Sequence, residues 1–95
     1  MTDDQANENR EQPLDQLRNL GPKSVELLQA AGIETIEQLE DLGPVVAYAA
    51  VRTIAPQATL NLLWALAAGL QGRDWRSLVA SEKESIVEEL KKLLR

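Results

Sequence analysis

The chain reads as an all-α protein, a compact bundle of about five to six short helices that begins with a helix-hairpin-helix-like unit. Three observations predict this class. Apolar residues recur at helical spacing through most of the chain, and no segment sustains period-two alternation. Aromatic residues make up only 3% of the 95, and residues that favour strands are scarce. Glycine-proline pairs and capping patterns punctuate the sequence where helices would end and begin.

Residues 1–11 hold only Met1 and Ala6 as apolar members. Nothing in them repays the entropy of ordering, so a polar mobile tail is expected, followed by a single helical domain over residues 12–95. Gln12-Pro13 opens a short helix with Leu14, Leu17 and Leu20 as its apolar stripe, ending near Asn19. Gly21-Pro22 starts the next, with Gly21 as N-cap, Pro22 as first helical residue and Val25, Leu27, Leu28 and Ala31 as the buried face. Gly32 is its expected left-handed C-cap.

Thr35 followed by Gln38 is a capping-box pattern, and Ile36, Leu39 and Leu42 continue it at helical spacing. Gly43-Pro44 ends that helix and starts another, running to about Ile54 before Pro56 interrupts it. From Leu42 to Gly72 the only charged residue is Arg52. Within that stretch "TLNLLWALAAGL" is apolar nearly all round, as expected for the buried centre of a bundle, with a dimer interface as the rival reading. It is too short to span a bilayer. Trp75 and Leu78 are expected to fold back on the core. The last helix carries a capping box at Ser81 and Glu84, lysines at its end, and one apolar stripe through Ile86, Val87, Leu90, Leu93 and Leu94.

The composition excludes much chemistry. Cys and His are both absent, which removes thiol nucleophiles, Cys/His zinc sites, imidazole bases and Ser-His-Asp triads. No carboxylate or serine pairing suggests acid-base or nucleophilic catalysis, so no enzyme, cofactor or metal site is expected. The polar start lacks the apolar core of a signal peptide, which makes the cytoplasm the expected compartment and leaves no membrane partner. Glu34, Glu37, Glu40 and Asp41 form a solvated acidic face, because consecutive helix positions splay them and no cation-loop spacing is present.

With 15 acidic and 10 basic residues the formal net charge is −5, which argues against a broad cationic surface. The segment from Gln12 to Ile33 is locally neutral, with Asp15 and Glu26 against Arg18 and Lys23. That keeps "LRNLGPKSVELLQAAGI" open as a helix-hairpin-helix unit, whose turn backbone and first helical N–H groups receive a DNA phosphate without reading bases. Its candidate contacts are Arg18, the Gly21 backbone, Lys23 and Ser24. Such units place a second glycine where this chain has Asn19, a residue that tolerates positive φ. The alternative is a purely architectural turn. The repeat of Leu-Gly-Pro in "LEDLGPVV" supports that alternative, since Glu40, Asp41 and Val45 make the second turn a poor phosphate site with the same device. Arg73, Trp75 and Arg76 form a small basic and aromatic spot suited to a protein partner or a single strand. Asn61, in its apolar helix, is expected to be buried with one specific partner.

Taken in order, "LRNLGPKSVELLQAAGI", "TIEQLEDLG" and "LNLLWALAAGLQGRDWRSL" resemble the C-terminal domain of the TfoX/Sxy regulators of bacterial natural competence. The "LNLLWAL" string, with a second tryptophan at Trp75, is the more specific part. The resemblance implies a helical domain without enzymatic activity and with a role in gene regulation alongside the transcription machinery. Family members usually carry an additional N-terminal domain, for which this chain has only its polar tail. Two functions follow as expectations. One is a regulatory module touching DNA backbone phosphates weakly and without sequence preference, together with a protein partner. The other is a protein-interaction or homodimerising module whose hairpin is structural.

Overall fold

A computed structural model describes residues 11–94. The expected mobile tail therefore lies, apart from Glu11, outside the described residues. Five α-helices follow one another: α1 (Pro22–Ala30), α2 (Ile36–Leu42), α3 (Pro44–Ile54), α4 (Leu60–Gly69) and α5 (Ala80–Leu93). Two single 3-10 turns, Leu14–Gln16 and Trp75–Ser77, complete the order, and no strand occurs among the described residues. The expected all-α class is what is found.

Helix α3 is the hub, packing against α1, α2, α4 and α5. Helix α4 buries every residue from Leu62 to Gly69, so its apolar circumference is consumed by the chain's own core and the dimer-interface reading of this helix falls. Between α3 and α4, the fully buried Tyr48 donates its hydroxyl hydrogen to the Ala58 carbonyl at 3.0 Å. That bond satisfies the ring's polar end and ties the Ala55 to Thr59 connection to α3.

The helix boundaries follow their local signals closely. Helix α1 ends in a Schellman motif: the Gly32 N–H bonds the Gln29 carbonyl, the Ile33 N–H bonds the Leu28 carbonyl, and Gly32 has φ +89°. Helix α2 starts with the expected capping box, Thr35 Oγ1 accepting from the Gln38 N–H at 3.1 Å while Gln38 Oε1 accepts from the Thr35 N–H at 3.3 Å.

Four expectations are corrected. The segment after Pro13 makes a single 3-10 turn instead of a helix: Pro13 sits outside it as an extended cap and Leu17 returns to extended backbone. Leu17 at ψ 135° and Asn19 at φ +78° leave the helical region, so the segment has room for one turn only. The chain before that turn pairs with the start of α2 instead, through a bridge between Pro13 and Thr35 and a bond from the Ile36 N–H to the Gln12 carbonyl. Helix α5 starts earlier than Ser81: its N-cap is Val79, whose N–H bonds Glu82 Oε1 at 3.0 Å, so Glu82 closes the cap where Glu84 was expected. Asn61 is exposed, since it lies in the first turn of α4, ahead of the buried run. Finally, of the two tryptophans only Trp64 joins the core; Leu78 is buried, whereas Trp75 remains 38% exposed.

Candidate functional site

The hairpin turn and the Trp75 turn lie far apart in sequence, and Asn19 joins them. Asn19 has φ +78°, the left-handed region that asparagine enters more readily than other side-chain-bearing residues. From that position its amide reaches across to the loop after α4: Nδ2 donates to the Arg73 carbonyl at 2.8 Å and to the Ala65 carbonyl at 3.4 Å, and Oδ1 accepts from the Trp75 N–H at 3.2 Å. A glycine here would supply the turn but none of these bonds.

Gly69 provides the second link. A Cβ on Gly69 would lie 2.5 Å from the Arg18 carbonyl oxygen and 3.4 Å from the Leu17 side chain, so the hairpin backbone rests directly on the end of α4. The sequence offered Gly69 only as one more small residue in an apolar helix. Nothing local marks it.

Together these contacts shape a groove of about 350 Å³ between the start of α1, the start of α4 and the Trp75 turn. Lys23 and Ser24 line one wall, Thr59 and Asn61 another, and Trp75 closes the end. Two separately expected sites, the hairpin and the aromatic spot, thus share one concavity. Arg18 and Gly21 do not line it.

The cations around it fall into two kinds. The Arg73 guanidinium uses all five of its N–H donors: two on the Glu82 carboxylate at 2.7 and 3.0 Å, two on Ser77 and one on Gln71 Oε1. Hydrogen bonding to Glu82 raises the Arg73 pKa further, and the same pair, with the Val79 N–H, lowers the Glu82 carboxyl to about 2. Arg76 grips Asp74 through Nε and Nη2 at 3.1 and 3.0 Å, which holds the Asp74 carboxyl well below the usual carboxylate range. Asp74 also caps the turn by accepting from the Arg76 N–H at 2.8 Å. Arg18 bonds the Gly72 carbonyl at 3.2 Å and lies 3.8 Å from Asp74. Arg18, Arg73 and Arg76 therefore brace the loop between α4 and α5. Lys23 is different: it is exposed, and no carboxylate among the described residues pairs with it.

The two Leu-Gly-Pro turns differ in backbone. Both glycines are N-caps and both prolines lead a helix, as expected. Yet Gly21 is extended, at φ −95° and ψ 178°, with open space around it, whereas Gly43 sits at φ +82° and ψ 162°, a region essentially closed to side-chain-bearing residues. The shared device, a glycine cap before a leading proline, occurs twice, but the positive φ of the first turn is carried by Asn19, two residues before Gly21. Among the described residues no group of three or more acidic, His or Cys side chains could hold a metal ion, and no described helix is long and apolar enough to cross a membrane.

A family model described as the TfoX C-terminal domain matches residues 10–90. Two crystal structures are similar to the chain. One is of an uncharacterized protein from Listeria monocytogenes in a triclinic form, 27% identical with a TM-score of 0.76, covering 85% of this chain and 92% of that one. The other is of a protein of unknown function from the same organism in a tetragonal form, 27% identical with a TM-score of 0.76, covering 86% of this chain and 100% of that one. No curated protein matches.

Proposed function

The chain belongs to the TfoX C-terminal domain family, and from that premise we propose that it is a non-enzymatic cytoplasmic module of transcription and competence regulation. It touches DNA phosphate weakly at the hairpin end, and a protein partner supplies the remaining affinity. The observation that carries this reading is the position of Lys23. It stands in the first turn of α1 beside Ser24, on the wall of a groove, and is the one cation of that region with no described carboxylate partner, whereas Arg18, Arg73 and Arg76 each lie against one. The α1 dipole and the N–H groups of Lys23 and Ser24, which have no earlier helical carbonyl to bond, add to the attraction for an anion.

The magnitude is modest. About two phosphate contacts give a log-log salt slope of roughly −2 and an affinity near the weak, non-specific end. Fluorescence anisotropy on labelled duplex DNA at low salt, native against Lys23→Glu, tests the reading. Binding by the native chain that is weakened or lost in the variant is expected; superimposable curves overturn it.

A second reading is favoured by a separate observation. Leu42, Pro44, Val45, Val46 and Leu93 line an apolar groove of about 310 Å³ beside Glu89, and Leu42, Val46 and Leu93 are all exposed. Under this reading the chain is an interaction or self-association module with a structural hairpin. Light scattering over a concentration series decides the self-association form: mass rising with concentration supports it, and a monomer throughout excludes it.

A further inference from the structure

The groove contains more than a phosphate contact requires. Trp75 presents an indole to solvent from a turn that is braced on every side: Asn19 holds its N–H, Asp74 caps the turn, and Arg73 ties the turn to Glu82 at the start of α5. On this fixed backbone Trp75 remains 38% exposed. The walls beside it carry the Ser24 and Thr59 hydroxyls and the Asn61 amide, and no hydrogen bond of these three side chains occurs among the described residues. An apolar protein anchor pressed against Trp75 would strand those groups. A nucleobase would use them.

We propose that this groove takes one unpaired nucleotide of a single-stranded nucleic acid. Its base stacks on Trp75, its edge meets Asn61 or Thr59, and its phosphate lies at Lys23 and Ser24. The proposal rests on the phosphate reading above and narrows the ligand from duplex to single strand. Two considerations favour the strand, and a third sets how much of it is held. In a duplex the base faces are occupied by their neighbours, so Trp75 would have nothing to stack on. With Lys23 as the one cation of the groove, counterion release alone leaves affinity low, and stacking supplies what charge does not. The groove volume of about 350 Å³ lies at the small end of ligand sites, which run from roughly 300 to 1,000 Å³, and so suits one nucleotide rather than several.

The experiment is anisotropy of the full chain with three labelled probes of equal length: oligothymidylate, an abasic strand carrying the same phosphates, and a duplex. Oligothymidylate is expected to bind roughly five- to hundredfold more tightly than the abasic strand, the range set by stacking of one base on an aromatic side chain. Trp75→Ala abolishes that ratio; Trp75→Phe, which keeps a ring, retains most of it. Lys23→Glu weakens all three probes. Equal binding of thymidylate and abasic strands, or a ratio that survives Trp75→Ala, overturns the stacking proposal while the response to Lys23→Glu still upholds the phosphate reading. Binding that ignores Lys23→Glu as well, or no binding to any probe, overturns both.

Discussion

At position 21 the chain spends a glycine where neither backbone nor space demands one. Its φ of −95° suits any residue, and a Cβ would meet nothing within 4 Å. A serine there would accept the Ser24 N–H and cap α1 better than glycine by a few tenths of a kcal/mol. That same N–H is one of the groups assigned to phosphate. Gly21→Ser is therefore expected to melt at or slightly above the native temperature while binding nucleic acid more weakly, a pairing that calorimetry and anisotropy on one sample would establish. Gly43→Ser should do the opposite for stability: at φ +82° and ψ 162° it forces a side chain into a glycine-only region, costing about 1–3 kcal/mol. From sequence these two glycines look alike, because both precede proline and both cap a helix. What separates them is the residue two places before Gly21. The tolerance of Asn19 for positive φ was legible, but the carbonyls and N–H that its amide reaches, at Ala65, Arg73 and Trp75, are brought there only by the fold.

Three of the helix starts were legible from a signal written within four residues. Helices α1, α2 and α3 begin at Gly21-Pro22, Thr35 and Gly43-Pro44 as expected, since each signal acts locally: Thr35 accepts from the Gln38 N–H, and a proline at the first helical position brings a helical φ and lacks only an N–H that would have no partner. Helix α5 was misjudged at its start for the opposite reason. Its cap depends on Glu82, and Glu82 is positioned by Arg73 from the preceding loop. This pair carries a pH signature. The Glu82 carboxyl falls from its ordinary 4.5 to about 2 in the folded chain, and a carboxyl depressed by folding contributes stability that is present above its unfolded pKa and lost as pH falls through its folded one. Native protein should thus melt above Glu82→Gln at pH 7, with the gap closing between about pH 4.5 and 2. Because the pair is substantially solvent-exposed the gap is small. A gap independent of pH would mean that Glu82 acts by packing rather than charge. The hairpin offers a sharper test on α4. Helix propensity alone makes Gly69→Ala stabilising by up to about 1 kcal/mol. The 2.5 Å approach of the Arg18 carbonyl makes it destabilising instead, by about 1–3 kcal/mol on the scale of overpacked cores. The sign of the measured change decides whether the hairpin is docked as described.

For the whole molecule the governing fact is the mismatch between a formal net charge of −5 and a candidate site with one lysine that no described carboxylate pairs. The arginines that the sequence seemed to offer nearby are committed to Asp74 and Glu82, which no count of basic residues could have revealed. An acidic body repels a polyanion at long range and does so most at low salt, where the local contact is strongest. Raising ionic strength therefore weakens both effects at once, and the observed salt slope should be shallower than the roughly −2 that two phosphate contacts alone would give. One site of this strength gives weak binding, and two on one molecule act together. Joining two copies of the chain by a flexible linker leaves each groove unaltered and makes the second contact intramolecular, which raises affinity for a long strand by about 10²–10⁴ where the linker spans the sites. The tandem chain is accordingly expected to bind a strand long enough for both copies at least a hundredfold more tightly than the single chain, and to lose that gain when both copies carry Lys23→Glu. A tandem chain no tighter than the single one, on a strand and linker long enough for both, would mean that the groove makes no productive nucleic-acid contact. The affinity of the module would then have to come from the apolar groove at Leu42, Val46 and Leu93.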